Sequence, residues 1–468
     1  MKNRFYFSLL FLLVLAGNLH ATSYFIAPAS GGGSDSNNGT SPGTPWLTPN
    51  HAVNCGDLLT AAAGTYAEAN FRLGNWGVVT CPLANNVAWL KCATFDACKI
   101  VVTTAGHDAL GISQSFWGVQ GFEVQVTTFS TNQCFQTFPP NNTTQIHHII
   151  FANNVANGCG DGAFTVGAAT TTVGVDYVVI VGNIAYNGAQ DNTNCYSGID
   201  MVFPVNSDTV AGTHIYIAGN YAWGNVDPNP CGGITPTDGH GISLDSLSQS
   251  SYSGQIVAEN NISVFNGASG FQNFSNNAGL AFVRQNTIAG NQTGTINANP
   301  CAELTINTAV NTNVSRNLVA TNGPTACVGA VTLWAFGASF DATSDTLTDN
   351  FLYSAAGNNF TTSNTVVSGN KMGTNPNFVN PVQPGAPSCG SSSSVPNCVA
   401  TIVSNFAPQS GAALSYGYQT PSTTANVNPF YPAWLCTVTN LPTGLVTPGC
   451  AISSGLTNGS ILNGSIVN

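Results

Sequence analysis

The chain has 468 residues, of which only 6% are charged; 8 Lys+Arg stand against 19 Asp+Glu, for a formal net charge of −11. So few bases argue against nucleic acid as a partner, because phosphate binding needs clustered Lys and Arg. Gly 50 and Pro 24 are poor helix material, while 43% hydrophobic residues exclude a chain disordered by composition, which leaves one large all-β body or two smaller ones.

Residues 1–21 read as an export signal. Lys2 and Arg4 give the positive start, Leu9 to Ala16 the apolar stretch, and Leu19-His20-Ala21 a cleavage end. The stretch is too short for a membrane span, and no later segment approaches that length. The protein is therefore expected to be exported, whether secreted, held at the cell surface or kept in a periplasm. Fourteen Cys fit an oxidising compartment. Without a C-x-x-C array beside His they do not suggest zinc. Short loops pair Cys92 with Cys98, Cys389 with Cys398 and Cys436 with Cys450.

Residues 24–100 read as an N-terminal cap and opening coils, with one helical turn near Pro49–Leu59. A degenerate repeat follows: a β-branched run, a polar residue, Asn, an apolar residue, then a Gly or Asn turn. It recurs as FANNVANG (151–158), IVGNIAYNG (180–188), IAGNYAWGN (217–225) and VAENNISVFNG (257–267), then as VRQNTIAGN (283–291), VSRNLVATNG (314–323), LTDNFLYS (347–354) and VSGNKMG (367–373). The aligned asparagines are Asn154, Asn183, Asn220, Asn261, Asn286, Asn317, Asn350 and Asn370, at intervals of 29, 37, 41, 25, 31, 33 and 20. Varying loops around one fixed element indicate a solenoid, and period-2 alternation excludes helical repeats. The expected fold is all-β, a parallel β-helix with asparagines stacked at a bend. It spans residues 22–380 with its cap. Pro381, Pro384, Pro387 and the Ser391–Ser394 run open an irregular, disulfide-bearing tail over 381–468.

Several stretches carry a family resemblance. They are YFIAPASGGGSDSNNGTSPGTPW (24–46), LLTAAAGTYAEANF (58–71), FWGVQGFEV (116–124) and QIHHIIFANNVANG (145–158). Further on come TDGHGISLDS (237–246), VAENNISVFNGASG (257–270), GTNPNFVNP (373–381) and FAPQSGAAL (406–414). On these the chain resembles bacterial secreted right-handed parallel β-helix repeat proteins, the superfamily that includes the pectate lyases. The resemblance implies the fold and an extracellular polysaccharide as partner. It does not choose a reaction, since the superfamily holds lyases, hydrolases, epimerases and proteins of no known activity.

Long loops are where solenoids place function. The two longest intervals, between Asn183 and Asn261, hold Asp191, Asp200, Asp227, Asp238, His240 and Asp245. In the strand after Gly239, alternation turns Ile242 and Leu244 inward and Ser243 and Asp245 outward. Asp238 and His240 then sit at the turn before it. Asp238 and Asp245 suit Ca²⁺ or an acid/base pair for glycoside cleavage, with His240 as a proton donor. Equally, Asp238-Gly239 is a common turn and His240 a structural residue. The Gly-His-Gly-Ile-Ser string (239–243) is similar to one polygalacturonase motif. That family's paired aspartates and Arg-x-Lys string are absent, with SGIDM (197–201) only a partial echo.

A lyase needs a base. Aligning Asn261 with Asn286 stacks Glu259 and Arg284 outward on successive coils, as a simple ion pair or as a base poised by a carboxylate. Trp223 and Trp117 read as exposed aromatics for sugar stacking, Asp200 and Asp227 as further substrate contacts, and Tyr221 and Phe122 as core. His147 and His148 alternate, one in and one out. The expectation is an exported, monomeric, carbohydrate-active β-helix of lyase-like or hydrolase-like type, with Ca²⁺ as the one candidate cofactor. The alternative is a non-catalytic surface, adhesion or glycan-binding solenoid.

Overall fold

A computed structural model describes residues 21–74, 86–129, 133–191, 194–228, 238–276, 279–294, 302–321, 331–336, 345–355, 360–362, 366–390, 392–419 and 430–441. The charged and apolar parts of the expected export signal, and Cys450, lie outside them. Each coil passes through three short strands. Ile146–Ala152, Val155–Asn157 and Phe164–Val166 form one such coil, and the chain then returns at Val175–Val181 to pair with Ile146–Ala152. All neighbours within a sheet are parallel and one coil apart, which builds sheets of 12, 11 and 10 strands, here the first, second and third. The protein is an all-β, right-handed parallel β-helix. Inward residues such as Ile149, Phe151, Ile180, Ile217, Phe164 and Ile199 fill one continuous core. The helical turn expected near Pro49–Leu59 is absent; that stretch is irregular until a strand starts at Leu58.

The asparagines stack at the bend from the first sheet to the second. Asn220 Nδ2 donates to Asn261 Oδ1 at 3.1 Å and to Ile180 O at 2.8 Å, while Asn261 Oδ1 also accepts the Asn220 amide at 2.9 Å. The same pattern runs unbroken from Asn154 to Asn370. The residue before every ladder asparagine is left-handed. Asn153, Gly182, Gly219, Asn260, Gln285, Arg316, Asp349 and Gly369 have φ between 52° and 67°. Glycine takes this conformation without strain, and the other residues take it because the ladder fixes it. His148 is likewise left-handed, which breaks the expected in–out alternation; both His147 and His148 are half-buried, their Nδ1 atoms 2.7 Å apart.

A second ladder turns the chain from the second sheet into the third. Asn225, Asn266 and Asn291 stack, and Asn291 donates its amide (3.1 Å) and Nδ2 (2.7 Å) to Glu303 Oε2. Burial pushes the Glu303 carboxyl from 4.5 up to about 7. The unfolded chain loses this proton above pH 4.5, whereas the folded chain keeps it to about 7. The folded state thus binds more protons across that window, and stability falls as pH rises through it. Glu303→Gln keeps an acceptor for Asn291 and cannot ionise. Urea unfolding is expected to show the variant equal to the parent near pH 3.5 and about 3 kcal/mol more stable near pH 8. A difference that is the same at both pH values would refute this role.

Among the described residues, disulfides join Cys92 to Cys98, Cys389 to Cys398 and Cys134 to Cys159. The first two follow the expected short loops, and the third staples consecutive coils. They are consistent with an exported protein. No helix among the described residues is long and apolar enough to cross a membrane.

Candidate functional site

A three-sided solenoid has three outer faces, and their outward residues differ in kind. On the second sheet the column runs Val155, Ile184, Tyr221, Ile262, Thr287, Leu318 and Phe351, apolar but for Thr287. The C-terminal segment covers them with Phe378, Val395, Val399, Ile402, Phe406 and Tyr416. On the first sheet, Trp89, Ile150, Val179, Tyr216 and Val257 lie against Leu435 and Val438. The third sheet is different. Reading across its register, the outward column is Arg72, Gly111, Gln136, Thr165, Asp200, Ser243, Gln272 and Thr305. This column is polar, and neither apolar cover formed by the tail includes it. It is the face that carries polar side chains, although Thr165, Asp200, Ser243, Gln272 and Thr305 are themselves buried.

Alternation in Ile242–Asp245 is as expected: Ile242 and Leu244 enter the core, while Ser243 and Asp245 face out. Asp200 stands beside Ser243 across the register, and Asp245 pairs with Val202 two residues further on. Asp200 is 2% exposed and its Oδ1 has no hydrogen-bond partner. Burial, then the charges of Asp245 and Asp238, hold its carboxyl well above the usual range. Asp245 is half-buried, accepts from Ser246 Oγ at 2.7 Å, and is also pushed upward by burial. The structure thus gathers Asp200, Asp238 and Asp245. His240 is buried just before the strand. Its Nδ1 accepts the Ser269 amide at 3.0 Å, and its carbonyl accepts from Gly198. These bonds tie three consecutive coils together.

Asp227 and Asp238 approach each other, and with Cys195 they are the one set of three potential metal ligands within 4.8 Å among the described residues. Cys195 is in a disulfide, so the donor set reduces to two carboxylates, hard oxygen ligands that fit Ca²⁺ better than a soft metal. Asp227 thus stands beside Asp238, the residue that the sequence offered as a Ca²⁺ ligand together with Asp245.

Other expected site residues lie elsewhere. Glu259 and Arg284 are stacked as expected, with Arg284 Nε 3.3 Å from Glu259 Oε2. They sit on the first sheet, where Tyr216 donates to Glu259 and the Phe430 ring lies 4.4 Å from the Arg284 guanidinium. Trp223 is not an exposed platform. It is 1% exposed on the second sheet, and its Nε1 donates to Gly385 O at 3.0 Å under the tail. Trp117 is a core residue, because alternation turns it inward and leaves outward Gly118 as the seat for the Trp89 ring. Phe122 is core, whereas Tyr221 is buried on an outer face by the tail.

The N-terminal half of this face carries further paired polar groups that no motif in the sequence marks. Asp108 Oδ2 accepts from Arg72 Nη2 (3.1 Å) and from Gln136 Nε2 (2.7 Å), and Asp108 Oδ1 accepts the Gln133 amide (3.1 Å). Asn194 Nδ2 lies between Asp161 (3.4 Å) and Asp191 (3.1 Å), and burial pushes Asp161 up to about 7. A signal for the strands of this sheet was present in the spacing Asn220/Asn225, Asn261/Asn266 and Asn286/Asn291. The second asparagine of each pair marks the turn that leads to the third sheet.

No family model matches the chain. No curated protein sequence matches it. Among solved structures it is similar to pectate lyase Pel9A, at 17% identity and TM-score 0.47 over 79% of this chain and 84% of that one. It is also similar to a GH136 lacto-N-biosidase from Eubacterium ramulus (10%, TM-score 0.49, 76% and 68%) and to a rhamnogalacturonan lyase (14%, TM-score 0.39, 77% and 91%). At such identities a shared fold does not select a reaction.

Proposed function

We propose that the protein is an exported enzyme that hydrolyses a polysaccharide on the outer face of the third sheet. The observation that carries this reading is the gathering of Asp200, Asp238 and Asp245 on the polar face left out of both tail covers. Glycoside hydrolysis needs two carboxyl groups with different proton affinities. Asp245, half-buried and raised by burial, suits the proton donor. Asp238, half-buried at the preceding turn, suits the second carboxylate. β-Elimination has less support, because the one stacked Arg–carboxylate pair considered as its base lies under Phe430 on another face.

When Ca²⁺ is bound, Asp227 and Asp238 would hold it, and it would offset the negative charge of the face. The test is purified protein on a panel of neutral and acidic polysaccharides, with and without chelator. New reducing ends without ultraviolet absorbance support hydrolysis. An unsaturated-sugar absorbance replaces that reading with elimination. Loss of activity in chelator reassigns Asp238 from base to ligand, and binding without any product leaves the non-catalytic solenoid.

A further inference from the structure

Towards its N-terminal end the third-sheet face opens into a cleft of about 280 Å³ lined by Arg72, Gly111, Gln136, Phe138, Pro139 and Pro140. Arg72 is the one Lys or Arg in the strands of this sheet. Its guanidinium lies directly on Gly111: a Cβ there would meet Nη1 at 2.5 Å, so glycine is what lets the side chain lie flat. Asp108 holds Arg72 and Gln136 from one side through the bonds described above. Arg72 Nη1 is buried against Gly111 without a partner, so the open polar groups are Gln136 Oε1 as an acceptor and the second hydrogen of its Nε2 as a donor. The opposite wall is apolar, with the Phe138 ring seated over Gly167.

We propose that this cleft is a subsite for an uncharged sugar unit, and that the substrate is a neutral polysaccharide laid along the solenoid axis. The inference rests on the reading that the third-sheet face acts on a glycan. A neighbouring donor and acceptor match the hydroxyls of a pyranose, and the proline–phenylalanine wall matches its C–H face. Charge decides against a uronate. The Arg72 cation is already neutralised by Asp108 at 3.1 Å, and the rest of the face carries Asp161, Asp191, Asp200, Asp227, Asp238 and Asp245 with no further base. An anionic chain would find no unpaired cation on the face to offset the cost of desolvating its carboxylates. Gln136 and Asp200 are two rungs apart through Thr165, about 10 Å along the axis. The cleft is thus a distal subsite that a disaccharide at the carboxylates would not fill.

The test is calorimetric titration of Asp245→Asn protein with xylohexaose, cellohexaose, mannohexaose and hexagalacturonate. One neutral hexasaccharide is expected to bind, with hexagalacturonate at least about tenfold weaker. Arg72→Met and Gln136→Ala, each added to that background, are expected to lower the neutral affinity about tenfold or more. Gln136→Ala carries the test if Arg72→Met does not fold. The proposal is overturned if no neutral hexasaccharide binds, if hexagalacturonate binds as tightly, or if the folded variants keep full affinity. Turnover by the parent separates the two readings. Product formation with unchanged affinity in the variants removes the subsite and keeps hydrolysis; variant-sensitive binding without product does the reverse.

Discussion

Asn261→Leu is expected to destabilise the fold by about 4 kcal/mol, a large share of what a domain has in total. The residue sits mid-ladder and is fully buried. Its Oδ1 accepts both the Asn220 amide and Asn220 Nδ2, and its own Nδ2 donates to Ile217 O and Asn286 Oδ1. Leu fills the space but meets none of these four groups, and each buried polar atom left unpaired costs about 1–3 kcal/mol. Asn370→Leu provides the internal comparison. That residue ends the described ladder, is half-buried, and serves only Asn350 and Leu347. It should lose less than half as much. Denaturant midpoints for the two variants check the contrast; equal losses would mean that the asparagines act as single turn residues and not as a ladder.

Asp245→Asn is expected to lower hydrolysis of the natural glycan by about 10²–10⁴-fold, the usual worth of a positioned general acid. An aryl glycoside of the same sugar chain, whose leaving group needs no proton, should lose much less. The pH profile supplies a second readout. Burial raises the Asp245 carboxyl, and the donor must be protonated, so the parent rate should fall on the alkaline side as that proton is lost. This limb should vanish in Asp245→Asn. If Asp245→Asn affects both substrates equally and keeps the limb, the proton donor is another group.

The ladder was readable from sequence because its cause is local. A β-branched run, one left-handed residue and Asn fix the same bend in every coil, and eight copies make the pattern visible despite intervals from 20 to 41. The Ile242–Asp245 alternation was readable for the same reason. The outer faces were not, because exposure there is decided by residues far along the chain. Trp223 looks like a sugar platform until Gly385 lies over it, and Arg284 looks like an available base until Phe430 does. The Arg72 cleft was hidden differently. Gly111 and Gln136 are unremarkable in sequence and become a site only when the register stacks them beside Arg72.

The route of the tail bears on how the molecule is assembled. Phe430 rests on the coil of Phe282 and Arg284, Trp434 on that of His148, and Asn440 accepts from the Val87 amide at 3.1 Å. The tail therefore runs backwards, from late coils to early ones. A bare stack of repeats would be free to form and to open one repeat at a time. Here the apolar outside of the earliest coils waits for residues more than 340 positions later, so a chain crossing a membrane in stages would carry an unfinished, adhesive surface until its last segment arrives. Trimming that segment should turn one all-or-none transition into a gradual unzipping from the N-terminal end.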